Sequence, residues 1–158
     1  MTQVMNVAMI GGGFMGKAHA MAYASMPMFF WPAPAIPHRK VVVDVTDGAA
    51  EEARRRFGFD EASSDWRAVV ARPDIDVVDI CTPNNVHAEI AIAAAKAGKH
   101  IICEKPLART VEEARAMTEA AKAAVRRSNT TIAALSVKLG HADAMLCGMV
   151  GRFEIGRA

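Results

Sequence analysis

The residue pattern that most restricts the fold of this chain is a glycine-rich turn near its N-terminus. An apolar run at residues 4–10 leads into three glycines with the spacing G-x-G-x-x-G, and an alanine-rich segment follows. In such a turn the first glycine allows a tight bend, the second lets the backbone approach a pyrophosphate, and the third lets a helix pack closely on the sheet. Phosphates would bind the free amides at the start of that helix. The predicted cofactor-binding residues of this turn are Gly11, Gly13, Phe14, Met15 and Gly16. Three close glycines also occur in ordinary turns, so the rest of the chain has to distinguish a dinucleotide-binding turn from an ordinary one.

Short apolar runs alternate with segments of helical character along most of the chain. Strands are predicted at residues 4–10, 40–45, 62–64, 74–81, 99–103 and 130–136. Helices are predicted at residues 14–25, 48–57, 86–97 and 110–127, with a shorter one carrying Trp66, Val69 and Val70. The connections are too long for hairpins, so the pattern predicts an α/β fold with a doubly wound parallel sheet in three layers, α/β/α. Ligands bind such a sheet beyond the carboxyl ends of its strands.

Asp44 lies near the end of the second predicted strand. An acidic residue at this place in a dinucleotide site accepts hydrogen bonds from the adenosine ribose. Asp44 lies further along the chain than the usual distance of about 20 residues, and a proline-rich insert at residues 26–37 accounts for the excess. Val45 and Thr46 supply no cation for a 2′-phosphate, so NAD is predicted rather than NADP. The alternative is that Asp44 only ends a strand.

The proline-rich insert is predicted to be a loop, because proline ends helices and lacks the donor that a central strand needs. Its aromatic residues are Phe29, Phe30 and Trp31. We expect them to pack on the edge of the domain, with an exposed surface that meets a partner as the alternative. His19 and Tyr23 share one face of the first predicted helix, and a structural role is expected because no base or metal partner is evident nearby.

Composition excludes several classes of protein. The 158 residues include 19 basic and 17 acidic ones, a balance that does not predict nucleic-acid binding. The three cysteines form no C-x-x-C pair and no metal-ligand pattern, so no metal is expected. They are expected to be buried thiols in a reducing cytoplasm. Neither a signal-peptide pattern nor an apolar stretch of membrane-spanning length is present in the sequence. A cytoplasmic chain with no membrane partner is predicted.

Three motifs occur in a recognisable order: GGGFMG at residues 11–16, CTPNNVH at 81–87, and AGKH followed by CEKPLA at 97–108. This order resembles the Gfo/Idh/MocA family of NAD(P)-dependent sugar and polyol dehydrogenases. The resemblance implies a Rossmann domain that holds the cofactor along its edge. The further cofactor-binding residues that it implies are Thr82, Pro83, Asn84, His87, Glu104 and Lys105, the last two beside the nicotinamide. It also implies that the peptide bond before Pro106 is often cis.

Lys105 is the catalytic residue that the resemblance implies. Family members transfer a hydride from a secondary alcohol to the nicotinamide, while this lysine and an acid/base pair of a second domain handle the proton. Such chemistry requires a positioned base, because an alcohol loses hydride readily only as its proton leaves. The alternative is a structural lysine paired with Glu104.

After Lys122 the sequence departs from the family pattern. We expect the Rossmann domain to span residues 1–136, and residues 137–158 to be a tail at the start of a missing substrate domain. His141 and Asp143 are a poor substitute for that domain's histidine and aspartate. A truncated or frameshifted dehydrogenase, inactive alone, is therefore expected, with a separate NAD(H)-binding regulatory module as the alternative. An apolar helix at residues 142–150 is expected to need a partner surface, such as a second copy of the chain.

Overall fold

The computed structural model describes residues 3–126, in which strands and helices alternate. The strands are β1 (Gln3–Ile10), β2 (Ala35–Val43), β3 (Glu61–Ser63), β4 (Val77–Ile80) and β5 (His100–Cys103). The helices are α1 (Phe14–Phe29), α2 (Asp47–Phe57), α3 (Trp66–Ala71), α4 (His87–Lys96) and α5 (Val111–Arg126). All strand pairs are parallel, in the order β3-β2-β1-β4-β5. The predicted doubly wound sheet is confirmed. Successive strands are added on one side of β1 up to β3 and on the other side of β1 from β4 onward, so the strand order reverses between β1 and β4.

Both faces of the sheet are covered, because side chains alternate between the faces along each strand. Met9 and Val42 pack with residues of α1 and α2 on one face. Ala8, Val41 and Val78 pack with residues of α3, α4 and α5 on the other face. Strands that are buried on both faces have to be apolar almost throughout, which is why they appear in the sequence as continuous apolar runs.

Local signals set the ends of α2 and α3. The Thr46 hydroxyl accepts a hydrogen bond from the Ala49 amide at 3.2 Å and begins α2. Asp65 begins α3 by accepting hydrogen bonds from the amides of the second and third following residues. The end of α2 is at Gly58, whose φ of 69° lies in the left-handed region. These helices therefore begin and end close to the residues predicted from the sequence.

The prediction of a loop over residues 26–37 is wrong at both of its ends. Helix α1 continues to Phe29 and includes Pro27 in its last turn, although the proline removes one intrahelical hydrogen bond, and the helix ends two residues later. Strand β2 begins at Ala35 and includes Pro37. Strand β3 pairs only with residues 41–43 of β2, so Pro37 lies where β2 has a single neighbour and can lack a donor.

The aromatic residues of this insert do not pack on the edge of the domain, contrary to the first expectation. Trp31 is 90% exposed and Phe29 is 78% exposed, and Phe30 is exposed as well. Sequence periodicity could not reveal this, because a short connection offers no repeating face from which burial can be inferred.

Several predictions concern residues outside the described range. They are the sixth strand, the apolar helix at 142–150, Cys147 and the domain boundary after residue 136. Among residues 3–126, none of the helices combines the length and the apolar character needed to cross a membrane.

Candidate functional site

Four strands end at the same level along one edge of the sheet. The last residues of these strands are paired across the sheet, in the order Val43, Ile10, Ile80 and Cys103. The residues that follow them directly are Asp44, Gly11, Cys81 and Glu104. The parallel register thus brings together segments that lie far apart in the sequence, as predicted.

Gly11 and Gly16 are required for close packing within the chain. Gly11 has a φ of 103°, and a Cβ there would lie 2.8 Å from the carbonyl carbon and oxygen of Cys81. A Cβ on Gly16 would lie 2.1 Å from the Gly11 carbonyl oxygen. The first turn of α1 is therefore pressed against the glycine turn, and neither position has room for a side chain.

Gly13 has a different environment. A Cβ there would meet no atom of the described chain within 4 Å, and no side chain caps the start of α1. Phe14 and Met15 continue the helix, whose first amides have no intrahelical acceptor. The backbone here is open, carries a partial positive charge and is accessible to an anion.

Asp44 is held against the glycine turn. Its Oδ2 accepts a hydrogen bond from the Gly12 amide at 3.0 Å, and its Oδ1 accepts one from the Val45 amide at 2.7 Å. A Cβ on Gly12 would lie 2.9 Å from Asp44 Oδ2, so Gly12 also has to be glycine, which the motif analysis missed. Each carboxylate oxygen keeps a lone pair for a further donor. Asp44 therefore does more than end a strand.

The segment after β4 contains a buried polar atom without a partner. Thr82 Oγ1 is shielded from solvent and forms no hydrogen bond within the described chain. Pro83 is exposed and Asn84 half-buried in the adjoining turn. An unsatisfied buried hydroxyl is uncommon and calls for a partner such as a ligand or a water molecule.

His87 is a buried residue whose ring connects two backbone segments. It is 1% exposed, and its Nε2 and Nδ1 lie 2.8 and 3.2 Å from the carbonyl oxygens of Thr82 and Pro106. The ring thereby joins the segments that follow β4 and β5. Direct contact of His87 with a ligand stays a prediction.

Glu104 and Lys105 follow β5 at the same edge. Glu104 Oε1 lies 2.9 Å from His19 Nε2, and its Oε2 accepts a hydrogen bond from the Lys105 amide at 3.2 Å. Lys105 is exposed, and no ion pair with Glu104 forms in the described chain, contrary to the structural alternative. The peptide bond between Lys105 and Pro106 is cis, as expected.

A hydrogen-bonded cluster lies directly behind this edge. His19 Nδ1 lies 2.9 Å from Asp79 Oδ2, which also accepts a hydrogen bond from the Tyr23 hydroxyl at 2.7 Å. Cys81 Sγ lies 3.4 Å from the same ring nitrogen. Asp79 is completely buried. The structural role expected of His19 and Tyr23 thus depends on a partner, Asp79, that the sequence did not make evident.

The cluster changes the ionisation of its members. The hydrogen bond with Asp79 raises the pKa of His19 to about 9, against the opposing effect of burial and with a smaller contribution from Glu104. Burial raises the pKa of Tyr23 and of Cys81, so both groups stay protonated near neutral pH. His19 is therefore a cation between two carboxylates at neutral pH.

Comparison with known proteins agrees with the geometry of the edge. A family model described as an oxidoreductase family with an NAD-binding Rossmann fold matches residues 5–130. This chain belongs to the Gfo/Idh/MocA family. NAD, the cofactor expected from the sequence, agrees with that description.

Gfo/Idh/MocA relatives of known activity are considerably longer than this chain. Levoglucosan dehydrogenase of Pseudarthrobacter phenanthrenivorans is 68% identical over 120 residues, which cover 76% of this chain and 31% of the relative. Myo-inositol 2-dehydrogenase of Thermotoga maritima is 32% identical over 120 residues, 76% of this chain and 34% of the relative. A solved levoglucosan dehydrogenase complex with NADH has a TM-score of 0.75 at 68% identity and covers 76% of this chain and 32% of that one. The chain thus spans about a third of the length of these relatives.

The residues at the edge fit the NAD of the family. The open backbone at Gly13 suits a pyrophosphate, and the free lone pairs of Asp44 suit ribose hydroxyls. The unpartnered Thr82 hydroxyl is available for a further polar contact. A bound dinucleotide would account for each of these features.

Two features at this edge of the sheet were not predicted from the sequence. One is Gly12, and the other is the cluster around His19. Asp79 was a usable signal, because a carboxylate within an otherwise apolar strand has to find donors in the interior. The ligand atoms of His19, Asp79 and Cys81 lie within 4.8 Å of one another, as in some metal sites. Hydrogen bonds among these groups already account for that proximity.

Proposed function

We propose that this chain is the NAD(H)-binding part of a dehydrogenase that oxidises a secondary alcohol of a sugar or polyol. The observation that carries the proposal is the convergence of the glycine turn, Asp44, Thr82 and Glu104 on one edge of the sheet. The relatives named levoglucosan dehydrogenase and myo-inositol 2-dehydrogenase support the class of substrate. A separate regulatory module is not favoured, because the matched family consists of oxidoreductases.

The order of the strands supports one direction for the bound dinucleotide. Asp44, at the end of β2, would hold the adenosine ribose, and the turn after β1 would hold the pyrophosphate. The other half of the molecule then extends over β4 and β5. In this proposal the nicotinamide would lie near Thr82 and near the Glu104–Lys105 segment.

Lys105 is suited to act on the alcohol in this arrangement. NAD, when bound, supplies the acceptor for the hydride. The Lys105 ammonium is exposed at the edge, where it would donate a hydrogen bond to the substrate oxygen and stabilise negative charge as the alcohol proton leaves. The Glu104 carboxylate does not pair with this ammonium within the described residues; it binds the His19 ring and the Lys105 backbone amide instead.

In our proposal the rest of the active site lies outside residues 3–126, on a second domain or on another chain. Selection of the polyol, and the acid/base pair that accompanies Lys105, belong in our proposal to such a partner. Association with a second copy of the chain is proposed on the same ground. The free thiols of Cys81 and Cys103 support a reducing cytoplasm as the location.

Gly13→Ala is expected to weaken NADH binding by about tenfold or more, since a methyl group would stand between the helix amides and a phosphate, and tenfold is only 1.4 kcal/mol. The dissociation constant would be measured by NADH fluorescence with the full chain. Gly48→Ala is the matched control, because its Cβ also meets no atom within 4 Å. Equal affinities of the two variants would contradict the phosphate assignment. Absence of saturable NADH binding to the unaltered chain up to millimolar concentrations would refute the proposed function.

Replacement of Asp44 by Ser together with Val45→Arg is expected to weaken NAD by about tenfold or more, since hydrogen bonds to a charged group contribute roughly 1.5–3 kcal/mol each. NADP should bind better than before, because the arginine can pair with the 2′-phosphate. Competition titrations against NADH would measure both constants. Asp60→Ser changes an aspartate that precedes β3 and should leave the preference unaltered. An unchanged preference in the Asp44 variant would disprove its contact with the ribose.

A further inference from the structure

We propose that His19 is a positioning residue for the nicotinamide end of the site. Its ring is hydrogen-bonded both to Glu104 at the edge and to Asp79 in the interior. The proposal rests on the proposed function, which places the nicotinamide over β4 and β5. His19 itself lies on α1, behind the edge. It would act through Glu104 and the backbone of Lys105 and would not touch the cofactor.

The hydrogen bonds form a continuous path from the interior to the edge. Asp79 Oδ2 lies 2.9 Å from His19 Nδ1, and His19 Nε2 lies 2.9 Å from Glu104 Oε1. Glu104 Oε2 then accepts a hydrogen bond from the Lys105 amide at 3.2 Å. Asp79 lies within a strand of four buried residues, so the inner end of this path is fixed to the core. The outer end holds the backbone from which the Lys105 side chain extends.

The path requires a protonated imidazole ring. Carboxylates only accept hydrogen bonds, and a neutral imidazole has a single N–H, so it could donate to Asp79 or to Glu104 but not to both. The imidazolium donates to both and neutralises part of their charge. The Glu104 side chain is only 16% exposed, so it gains from this partner more than a solvated carboxylate would.

The titratable groups around the His19 ring favour its protonated form. Asp79 and Cys81 approach it from β4 and the segment after β4, Glu104 from the segment after β5, and Tyr23 reaches Asp79 from α1. Burial raises the pKa of Cys81 and of Tyr23, so neither adds negative charge near neutral pH. The raised pKa of His19, about 9, agrees with the cation that the hydrogen-bond geometry requires.

The decisive experiment compares two ligands that differ at one end. NADH and ADP-ribose share the adenosine and the pyrophosphate, but only NADH carries the nicotinamide. In the full 158-residue chain, His19→Gln is expected to weaken NADH by about tenfold and to change ADP-ribose by no more than about twofold. His38→Gln is the matched control, because His38 pairs with Asp60 through half-exposed side chains in the first half of β2. It should leave both constants unchanged.

Several outcomes would overturn the proposal. An equal loss for the two ligands would make His19 a general structural residue, and no loss for either would exclude any role in binding. If the unaltered chain binds ADP-ribose and NADH with the same affinity, its own nicotinamide contacts contribute nothing and the positioning role fails, while the dinucleotide site stands. If the unaltered chain binds neither ligand, the proposed function fails, and the positioning role fails with it.

A spectroscopic measurement tests the link without a variant of His19 and without a cofactor. Nitrogen-15 NMR of the unaltered chain at pH 7.5 should show both His19 ring nitrogens protonated, while Glu104→Gln should lower the pKa of His19. A single protonated nitrogen at pH 7.5, or a pKa that does not respond to Glu104→Gln, would contradict the bridge. Glu104→Gln should also show the same separation between NADH and ADP-ribose, which keeps the proposal testable if His19→Gln does not fold.

Discussion

Gly16→Ala should destabilise the domain by about 3 kcal/mol, at the upper end of the usual cost of overpacking. The added Cβ would lie 2.1 Å from the Gly11 carbonyl oxygen, a backbone atom that cannot rotate away. Helix α1 would have to move off the sheet, although alanine favours a helix by about 1 kcal/mol over glycine. Urea denaturation monitored by circular dichroism would measure the difference in free energy of unfolding. NADH affinity should fall as well, because the same shift moves the amides at the start of α1.

Gly13→Ala and Gly48→Ala separate packing from binding in this experiment. Neither added Cβ meets an atom of the described chain within 4 Å, so neither variant should lose stability. Only Gly13→Ala should lose affinity for NADH. A Gly16→Ala chain that unfolds at the same urea concentration as the unaltered one would show that α1 does not pack as closely as the structure has it.

Asp79→Ala should destabilise the domain by about 3 kcal/mol or more, the usual cost of removing one partner of a buried ion pair. The substitution leaves the Tyr23 hydroxyl and one nitrogen of the His19 ring without their acceptor, next to the completely buried position of Asp79. Urea denaturation at pH 7 would measure the loss. Asp60→Ala removes the carboxylate that pairs with His38 near the surface, and it should change the midpoint of urea denaturation very little. Equal effects of the two substitutions would contradict the importance of the buried cluster.

The same cluster predicts how stability depends on pH. The folded pKa of His19 is raised to about 9, whereas its ordinary value is 6.5. The folded chain therefore keeps a proton that the unfolded chain releases, so this contribution is complete below pH 6.5 and is lost as the pH rises through 9. Between pH 6.5 and 8, the free energy of unfolding should decrease more in the unaltered chain than in His19→Gln. Parallel pH profiles would contradict the assignment of a protonated His19.

The order of the elements was accessible from the sequence because each signal is local. Short apolar runs mark the strands, and capping residues such as Thr46 and Asp65 mark the helix starts. The glycine turn and Asp44 were found for the same reason, since their spacing reflects one strand, one helix and the next strand. Local signals failed at Pro27 and Pro37, where the effect of a proline depends on which neighbours surround it. They also failed for the aromatic residues of the insert, whose exposure no periodicity could show.

The sequence by itself determined a parallel α/β domain with a dinucleotide turn at its start, because glycine spacing and apolar periodicity act over a few residues. Only the tertiary structure decided that His19, Asp79 and Glu104 form one hydrogen-bonded path. These residues come from α1, β4 and the segment after β5, separated by up to 85 positions. Their meeting depends on the strand order and register, which bring β1, β4 and β5 side by side, and no short stretch of sequence records that arrangement.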